Sequence, residues 1–428
     1  MSERRKTEGR EGGLRYRLRN RPRLRPKVYG YLTEEKESLR QGFAALFISS
    51  TGNLVAGMVL GAITGTLEEL VGLMVLIPAA IGMRGAIFGA MGSRLGTAIH
   101  TGLFEFNLRR GGVLRENVEV ALVLSLTTGV ILAFLARYLS GLLGVATDLS
   151  VLDYIVISTL GGLIAGVVVM VVTVLVAEVS VRRGWDLDNI AAPMVTASGD
   201  IITLPSIVAV TFFIGTPYLT EIVAAILVLL TGLAMYWGFR QGETGLRRIL
   251  GESLPVLTFS GAVLILAGMT LETRLEAFVT LPALLVLIPA FLQQGGALGS
   301  ILASRLSSKI HLGLLEPKSF PPLTTFRDFN LVYMFAVGVF VFVGSASHVL
   351  ALVTGYESPG LALMIIVSLF GGLIATTTAI VVAYYSSIGT YRFGLDPDNH
   401  SIPIITATMD LVGVFSLIIS LIIFGLAG

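Results

Sequence analysis

The stretch "YIVISTLGGLIAGVVVMVVTVLVA", residues 154–177, contains no charged side chain. A helix of about 20 apolar residues crosses the hydrocarbon core of a bilayer, so this stretch predicts a transmembrane helix. The whole chain has the same character, because 54% of its 428 residues are hydrophobic and 14% are charged, whereas soluble domains carry about 25% charged residues. The absence of cysteine excludes disulfides and thiolate metal sites. We therefore predict an all-α polytopic membrane protein.

Hydrophobic segments of similar length recur along the chain, and we expect about eleven transmembrane helices. The predicted segments are 41–63, 70–92, 117–143, 152–178, 190–214, 220–239, 252–271, 279–303, 329–354, 360–388 and 401–426.

Positive charge is distributed unevenly around these segments. The first forty residues are rich in arginine, as in "RYRLRNRPRLRPK", and alternate loops from there carry further arginines and lysines. The other loops, such as "GTLEEL" and "TGYESPG", carry almost none, with Arg274 as the exception. Because cytoplasmic loops are enriched in Lys and Arg, we predict a multi-pass protein of the cell membrane with a cytoplasmic N-terminus and an extracellular C-terminus. The basic tail is expected to contact membrane lipid rather than nucleic acid.

The chain contains an internal repeat. "LMVLIPAAIGMRGAIFGAMGSRLGTAIHTGLFEF" from Leu73 aligns without a gap with "LLVLIPAFLQQGGALGSILASRLSSKIHLGLLEP" from Leu284, and about half of the positions are identical. Further on, "DLDNIAAPMVTASGDIIT" (186–203) aligns with "DPDNHSIPIITATMDLVG" (396–413). These matches indicate a tandem duplication of a five-helix unit.

Five helices are an odd number, so a direct fusion would invert the second unit. One additional crossing restores its orientation, and the segment 220–239 has no counterpart in either repeat. We therefore predict two parallel repeats joined by one connector helix, a 5+1+5 arrangement. The predicted regions are a basic cytoplasmic tail (1–40), a first repeat (41–214), a connector helix and loop (215–251) and a second repeat (252–428).

Two acidic residues lie inside predicted membrane segments. Asp200 and Asp410 occupy equivalent positions in the repeats, about 15 Å into their helices. A charged residue at this depth costs several kcal/mol. One explanation is structural: each Asp caps a broken helix or pairs with a buried arginine, and Arg84 could serve one of them. The repeat counterpart of Arg84 is Gly295, however, so this pairing would not be symmetric.

The other explanation is functional. Parallel repeats would place Asp200 and Asp410 at equal depth around one axis, where both could line a central conduit. Threonine hydroxyls and proline-freed carbonyls nearby would complete an all-oxygen site, which suits a hard divalent cation such as Mg²⁺. These nearby residues are Thr196, Thr203, Thr406, Thr408, Pro193 and Pro403.

A second group of polar residues lies just before the two acid-bearing segments. These residues could serve either as N-caps of the two helices or as a site that recruits cations at the inner vestibule. The group comprises Asp186, Asp188, Asn189, Asp396, Asp398 and Asn399.

With these motifs the sequence resembles the MgtE-type magnesium transporters, especially their duplicated, solute-carrier-like branch. The doubled pattern of "DLDNIAAPMVTASGD" and "DPDNHSIPIITATMD" carries the resemblance, together with the two proline-glycine segments quoted above. The resemblance implies that Asp200 and Asp410 line the cation pore and that Pro78, Gly85, Pro289 and Gly296 form its neighbouring wall. The family usually has Asn after that glycine, whereas this chain has Ala86 and Ala297.

The sequence is compatible with two functions. The first is transport of a divalent cation, Mg²⁺ with Mn²⁺, Co²⁺ and Ca²⁺ as alternatives, through a pore on the pseudo-two-fold axis lined by one Asp from each repeat. The second is a Na⁺- or H⁺-coupled carrier of another small solute that uses the same acids for coupling. Gly, Ala, Val, Ile and Thr around the acids favour a small hydrated ion. We expect no enzymatic activity and no organic cofactor, and one chain should suffice as a pseudo-dimer.

Overall fold

A computed structural model of the chain describes residues 28–100, 102, 104–109, 111–183, 187–216, 218–240, 245–311, 313–393 and 397–426. The chain forms two compact units, Met1–Ala44 and Ala45–Gly428. Within the described residues, the first unit consists of the beginning of helix α1, which starts at Val28, ahead of the predicted start of the first span. The second unit contains everything that positions the site.

All regular secondary structure in the described residues is helical, and these residues contain no β-strand. The helices of the first half and the connector are α1 (Val28–Ala62), α2 (Thr64–Glu69), α3 (Leu73–His100), α4 (Val113–Leu143), α5 (Val151–Ile155), α6 (Gly161–Arg183), α7 (Leu187–Thr211) and α8 (Leu219–Arg240). Those of the second half are α9 (Gly245–Glu272), α10 (Leu275–Thr280), α11 (Pro282–His311), α12 (Phe326–Thr354), α13 (Leu361–Phe393) and α14 (Pro397–Ile423). A π-helical turn, Val156–Leu160, joins α5 to α6 into one continuous rod.

Every predicted segment corresponds to one of these helices or to the α5–α6 rod. Within the described residues, ten helices are long and apolar enough to cross a membrane. The remaining predicted segment forms α7, whose described apolar part is Ala197–Thr211. The prediction of an all-α polytopic membrane protein is confirmed.

The two halves repeat the same internal contacts. Each contains a short helix, α2 or α10, between its first two long helices. In the first half, the Ser158 hydroxyl donates a hydrogen bond to the Gly129 carbonyl on α4, at 2.7 Å. In the second half, the equivalent Ser368 hydroxyl donates to the Phe340 carbonyl on α12, at 2.8 Å. The duplication seen in the sequence is therefore also a duplication of helix packing.

The first long helix of each half packs against the opposite half. A Cβ atom built on Gly57 of α1 would lie 2.1 Å from the carbonyl oxygen of Val286 on α11, so the two backbones touch. The equivalent atom on Gly268 of α9 would lie 2.2 Å from the carbonyl oxygen of Val75 on α3. Two such reciprocal contacts between equivalent residues are what a two-fold axis produces.

The contacts also give the relative direction of the halves. Glu272, the last residue of α9, accepts hydrogen bonds from the backbone N–H groups of Gly72 and Met74 at the start of α3, at 2.9 and 3.1 Å. The end of α9 therefore lies beside the start of α3, where α1 also ends and its short link to α3 begins. Helices α1 and α9 thus end on the same side of the bundle, as parallel repeats require.

A polar contact ties the second and third long helices together in each half. Arg94 of α3 donates to the Asn117 side chain of α4 at 2.7 Å. In the second half, Asp328 of α12 is 2% exposed and accepts from Arg305 and Lys309 of α11, at 3.2 and 2.6 Å. These contacts hold together the helix ends that lie on the opposite side of the bundle from α2 and α10.

The connector α8 contacts α4, α5 and α9 and leaves much of its apolar surface uncovered. Leu229 and Leu233 are 63% and 55% exposed. Such a surface suits contact with lipid, since the helix is apolar on nearly all sides.

Candidate functional site

The acids are placed by helices α7 and α14. Asp200 and Asp410 are each the fourteenth residue of their helix, about 20 Å from its first residue. Both are buried, at 3% and 8% exposure. The two carboxylates are close enough to repel each other electrostatically, although more than two hundred residues separate them in sequence. The structure therefore brings the paired acids of the two repeats together inside the bundle.

The structural explanation with Arg84 is wrong. The Arg84 side chain is 1% exposed, and its Nη1 atom donates to the Gly162 carbonyl on α6, at 2.6 Å. Among the residues that the structure describes, neither Asp200 nor Asp410 takes part in an ion pair. Nothing in this part of the chain neutralises the two carboxylates.

Helices α3 and α11 pack beside the acid-bearing helices. A Cβ atom on Gly296 of α11 would lie 3.3 Å from the Thr406 side chain on α14, so these two predicted site residues are in contact. Gly85 is the half-buried neighbour of Arg84 on α3. Pro78 and Pro289 lie inside α3 and α11, and because proline has no N–H, each leaves a backbone carbonyl one turn earlier without its helical donor.

The Thr203 hydroxyl is buried and donates to the Gly199 carbonyl one turn earlier, at 2.6 Å. Its proton is therefore committed to its own helix, and only its oxygen lone pairs remain for a ligand.

The predicted vestibule residues are only partly described. Asp186 and Asp396 lie outside the described residues, which resume at Leu187 and Pro397. The others fall within α7 and α14, but their side chains are outside the described part of the structure; they are Asp188, Asn189, Thr196, Asp398 and Asn399.

A cluster of neutral polar residues lies near the acids, and two of its members, Ser50 and Asn53, were missed in the sequence. Ser50 and Asn53 of α1 and Gln294 of α11 are completely buried, and Gln294 Nε2 donates to Ser50 Oγ at 2.9 Å. We call these three residues the amide cluster. An asparagine within the apolar run "LFISSTGNLVAGMVL" was the signal that could have indicated it.

The chemistry available at the acid pair is simple. The described part of the chain holds no group of three or more His, Cys, Asp or Glu side chains that could surround a metal ion. A divalent cation at this site would meet two carboxylates and would fill its other coordination positions with water, carbonyl or hydroxyl oxygens. Mg²⁺ binds proteins in this manner, since it dehydrates reluctantly and touches few carboxylates.

Comparison with known proteins agrees with this chemistry. The chain is 23% identical over 391 residues to solute carrier family 41 member 3 of Rattus norvegicus, covering 86% of this chain and 83% of the relative. It is 25% identical over 410 residues to member 2 of Mus musculus (87% and 68% covered) and 26% identical over 425 residues to member 2 of Xenopus laevis (92% and 74%). No solved structure matches the chain. The MgtE family, described as divalent cation transporters, matches residues 77–210 and 288–420. Because each matched segment contains one of the two buried acids and the matches cover most of the chain, this membrane protein belongs to the MgtE family of divalent cation transporters.

Proposed function

We propose that the protein transports Mg²⁺ and that Asp200 and Asp410 hold the ion together near the middle of the membrane. The observation that carries this proposal is the approach of two buried carboxylates from different repeats with no neutralising partner in the described residues. Two like charges in a buried site repel each other, and a divalent cation relieves that repulsion. Mn²⁺, Co²⁺ and Ca²⁺ are the other ions that an oxygen site of this kind could admit.

The remaining site residues have supporting roles in this proposal. The Thr203 and Thr406 oxygens face the water shell of the ion, and the segments of α3 and α11 that contain Pro78, Gly85, Pro289 and Gly296 form the neighbouring wall of the pore. Residues at the start of α7 and α14 recruit cations at the cytoplasmic mouth, namely Asp186, Asp188, Asn189, Asp396, Asp398 and Asn399. The N-terminus lies in the cytoplasm and the C-terminus outside the cell.

Charge removal at the acid pair tests the proposal. Two unit charges about 4–6 Å apart at an effective dielectric constant near 20 interact with roughly 3–4 kcal/mol, and the water shell of Mg²⁺ reduces this value. We expect Asp200→Asn and Asp410→Asn each to weaken Mg²⁺ binding at least about tenfold, or 1.4 kcal/mol. Isothermal titration calorimetry on purified protein and Mg²⁺ flux into proteoliposomes measure the effect.

A matched control is Asp148→Asn, which removes an exposed carboxylate from the loop between α4 and α5 and should leave affinity and flux unchanged. Normal Mg²⁺ affinity in either acid variant would contradict the proposal. The same proteoliposomes with imposed Na⁺ or H⁺ gradients separate passive transport from coupled transport. Flux of an organic solute with no Mg²⁺ flux would favour the carrier alternative instead.

A further inference from the structure

A surface groove lies in the first repeat where α4 ends and α5 begins. It has a volume of about 480 Å³ and is lined by Arg137, Tyr138, Gly141, Leu142 and Val151. Cavities that hold small ligands usually measure about 300–1,000 Å³, so the groove is large enough for one. Tyr138 and Leu142 are 66% and 78% exposed and belong to a helix that is apolar enough to span a bilayer. The groove therefore opens towards lipid.

Arg137 is the charged residue of this groove, and its side chain runs towards the end of α4. The residue lies six positions before Leu143, the last residue of the helix, which corresponds to about 9 Å. Its Nη1 atom would lie 3.7 Å from a Cβ atom built on Gly141, one turn further along. Side chains in helices normally lean towards the N-terminus. A guanidinium that leans the other way, towards the helix end, is directed at the polar headgroup region.

The half-buried Arg137 forms no ion pair with any carboxylate in the part of the chain that the structure describes. The next acids along the chain are Asp148 and Asp153. Asp148 is exposed on the loop, and the Asp153 carboxylate accepts hydrogen bonds from the backbone N–H and the hydroxyl of Ser150, at 2.8 and 2.7 Å. A charge without a partner at the edge of the hydrocarbon is costly, and a phosphate group matches the guanidinium in geometry and charge.

The second repeat has different residues at the equivalent positions. The counterparts of Arg137 and Gly141 are His348 and Leu352 on α12. The His348 Nδ1 atom forms a hydrogen bond with the Ser358 hydroxyl, at 2.7 Å, so this basic residue has a partner within the protein. Leu352 supplies an apolar side chain where Gly141 leaves a notch. The shared fold therefore requires neither an unpaired arginine nor a glycine at these positions.

We propose that this groove binds one phospholipid molecule, whose phosphate accepts hydrogen bonds from Arg137 and whose acyl chain packs on Tyr138 and Leu142. The lipid supplies the two things that the groove presents a need for, a negative charge at the helix end and an apolar chain below it. Phe134 extends the apolar wall one turn deeper, since its ring stacks on that of Tyr138 with the centroids 6.1 Å apart. In the orientation proposed above, the lipid belongs to the outer leaflet.

Native mass spectrometry of the full chain, released from detergent and titrated with dioleoyl phosphatidylglycerol, tests the proposal by counting bound lipids. We expect Arg137→Met to weaken the binding of one lipid at least about tenfold, or 1.4 kcal/mol, because it removes the charge and keeps an apolar stem. Gly141→Leu should weaken binding similarly, because the leucine fills the notch. This variant should fold, since a Cβ atom at position 141 meets only Arg137 within 4 Å and the second repeat has leucine there.

His348→Met changes the equivalent residue of the second repeat and is the matched control, which should bind phosphatidylglycerol as the natural protein does. Dioleoylglycerol, which lacks the phosphate, and glycerol phosphate, which lacks the chains, should each bind much more weakly than the whole lipid. Unchanged lipid binding in Arg137→Met, an equal loss in His348→Met, or equally tight binding of glycerol phosphate would overturn the inference. A protein dimer that disappears in Arg137→Met would overturn it too, since a second copy of the chain would then occupy the groove. None of these outcomes bears on the ion site, which the Asp200 and Asp410 variants test separately.

Discussion

Substitution of Gly57 and Gly268 by alanine tests the contact that joins the two repeats. At each position the new Cβ atom would be placed 2.1 or 2.2 Å from a backbone carbonyl oxygen, that of Val286 or of Val75. Ordinary contacts between a carbon and a carbonyl oxygen in helix pairs are about 3.3–3.6 Å. A Cβ atom and a backbone carbonyl cannot turn away as a flexible side chain can, so the helices must separate by roughly 1.1–1.5 Å.

Overpacking of this kind usually costs about 1–3 kcal/mol. We expect each variant to lose about 3 kcal/mol, near the upper end, since displacing a helix also disturbs the contacts above and below the glycine. The losses at the two positions should be similar, because the two contacts are equivalent under the pseudo-two-fold axis. Their magnitude is measured by the thermal unfolding of the purified protein in detergent.

Gly232→Ala provides the control, because Gly232 is an exposed residue within the connector helix α8. Alanine in a helix interior is favoured over glycine by about 0.5–1 kcal/mol, so this variant should be as stable as the natural protein or slightly more stable. If Gly57→Ala and Gly268→Ala behaved like the control, the close approach of the repeats would be refuted.

Three further predictions concern charge, orientation and assembly. Asp328→Asn should lower the free energy of unfolding by about 1–3 kcal/mol. Adding Lys309→Ala reproduces the equivalent residues of the first repeat, Asn117 and Ala98, and should restore part of the lost stability. An unchanged thermal unfolding temperature in Asp328→Asn would contradict this. A cysteine at position 428 of this cysteine-free chain should react with an impermeant reagent only from outside the cell, and labelling only from the cytoplasm would refute parallel repeats in the proposed orientation. One chain should suffice for transport, so mixing it with an Asp410→Asn variant should reduce Mg²⁺ flux only in proportion to dilution; a steeper loss would mean that chains share a pore.

The positions of the membrane helices could be predicted from the sequence because hydropathy is a local property. A segment such as 154–177 must satisfy its backbone hydrogen bonds internally in lipid, and only a helix does this within one segment. The repeat was equally visible, since side chains that pack against similar neighbours remain similar, as at Arg94 and Arg305. The odd number of helices per repeat then required the connector. Asp200 and Asp410 stood out because a charge in an apolar run is costly wherever it points.

Which residues meet across the bundle was decided by the tertiary structure. The positive charge of Arg84 made it a plausible partner for an acid, yet its guanidinium donates to the Gly162 carbonyl on α6. The backbone contacts of Gly57 and Gly268 join helices of opposite repeats, and glycine spacing alone does not distinguish these from contacts within a repeat. The sequence by itself therefore determined the membrane helices, the duplication and the paired acids, because these follow from the polarity of each segment. Only the packed structure decided which helices of the two repeats contact each other and which polar atoms remain without partners. Side-chain direction depends on helix packing between segments far apart in sequence, which no local pattern encodes.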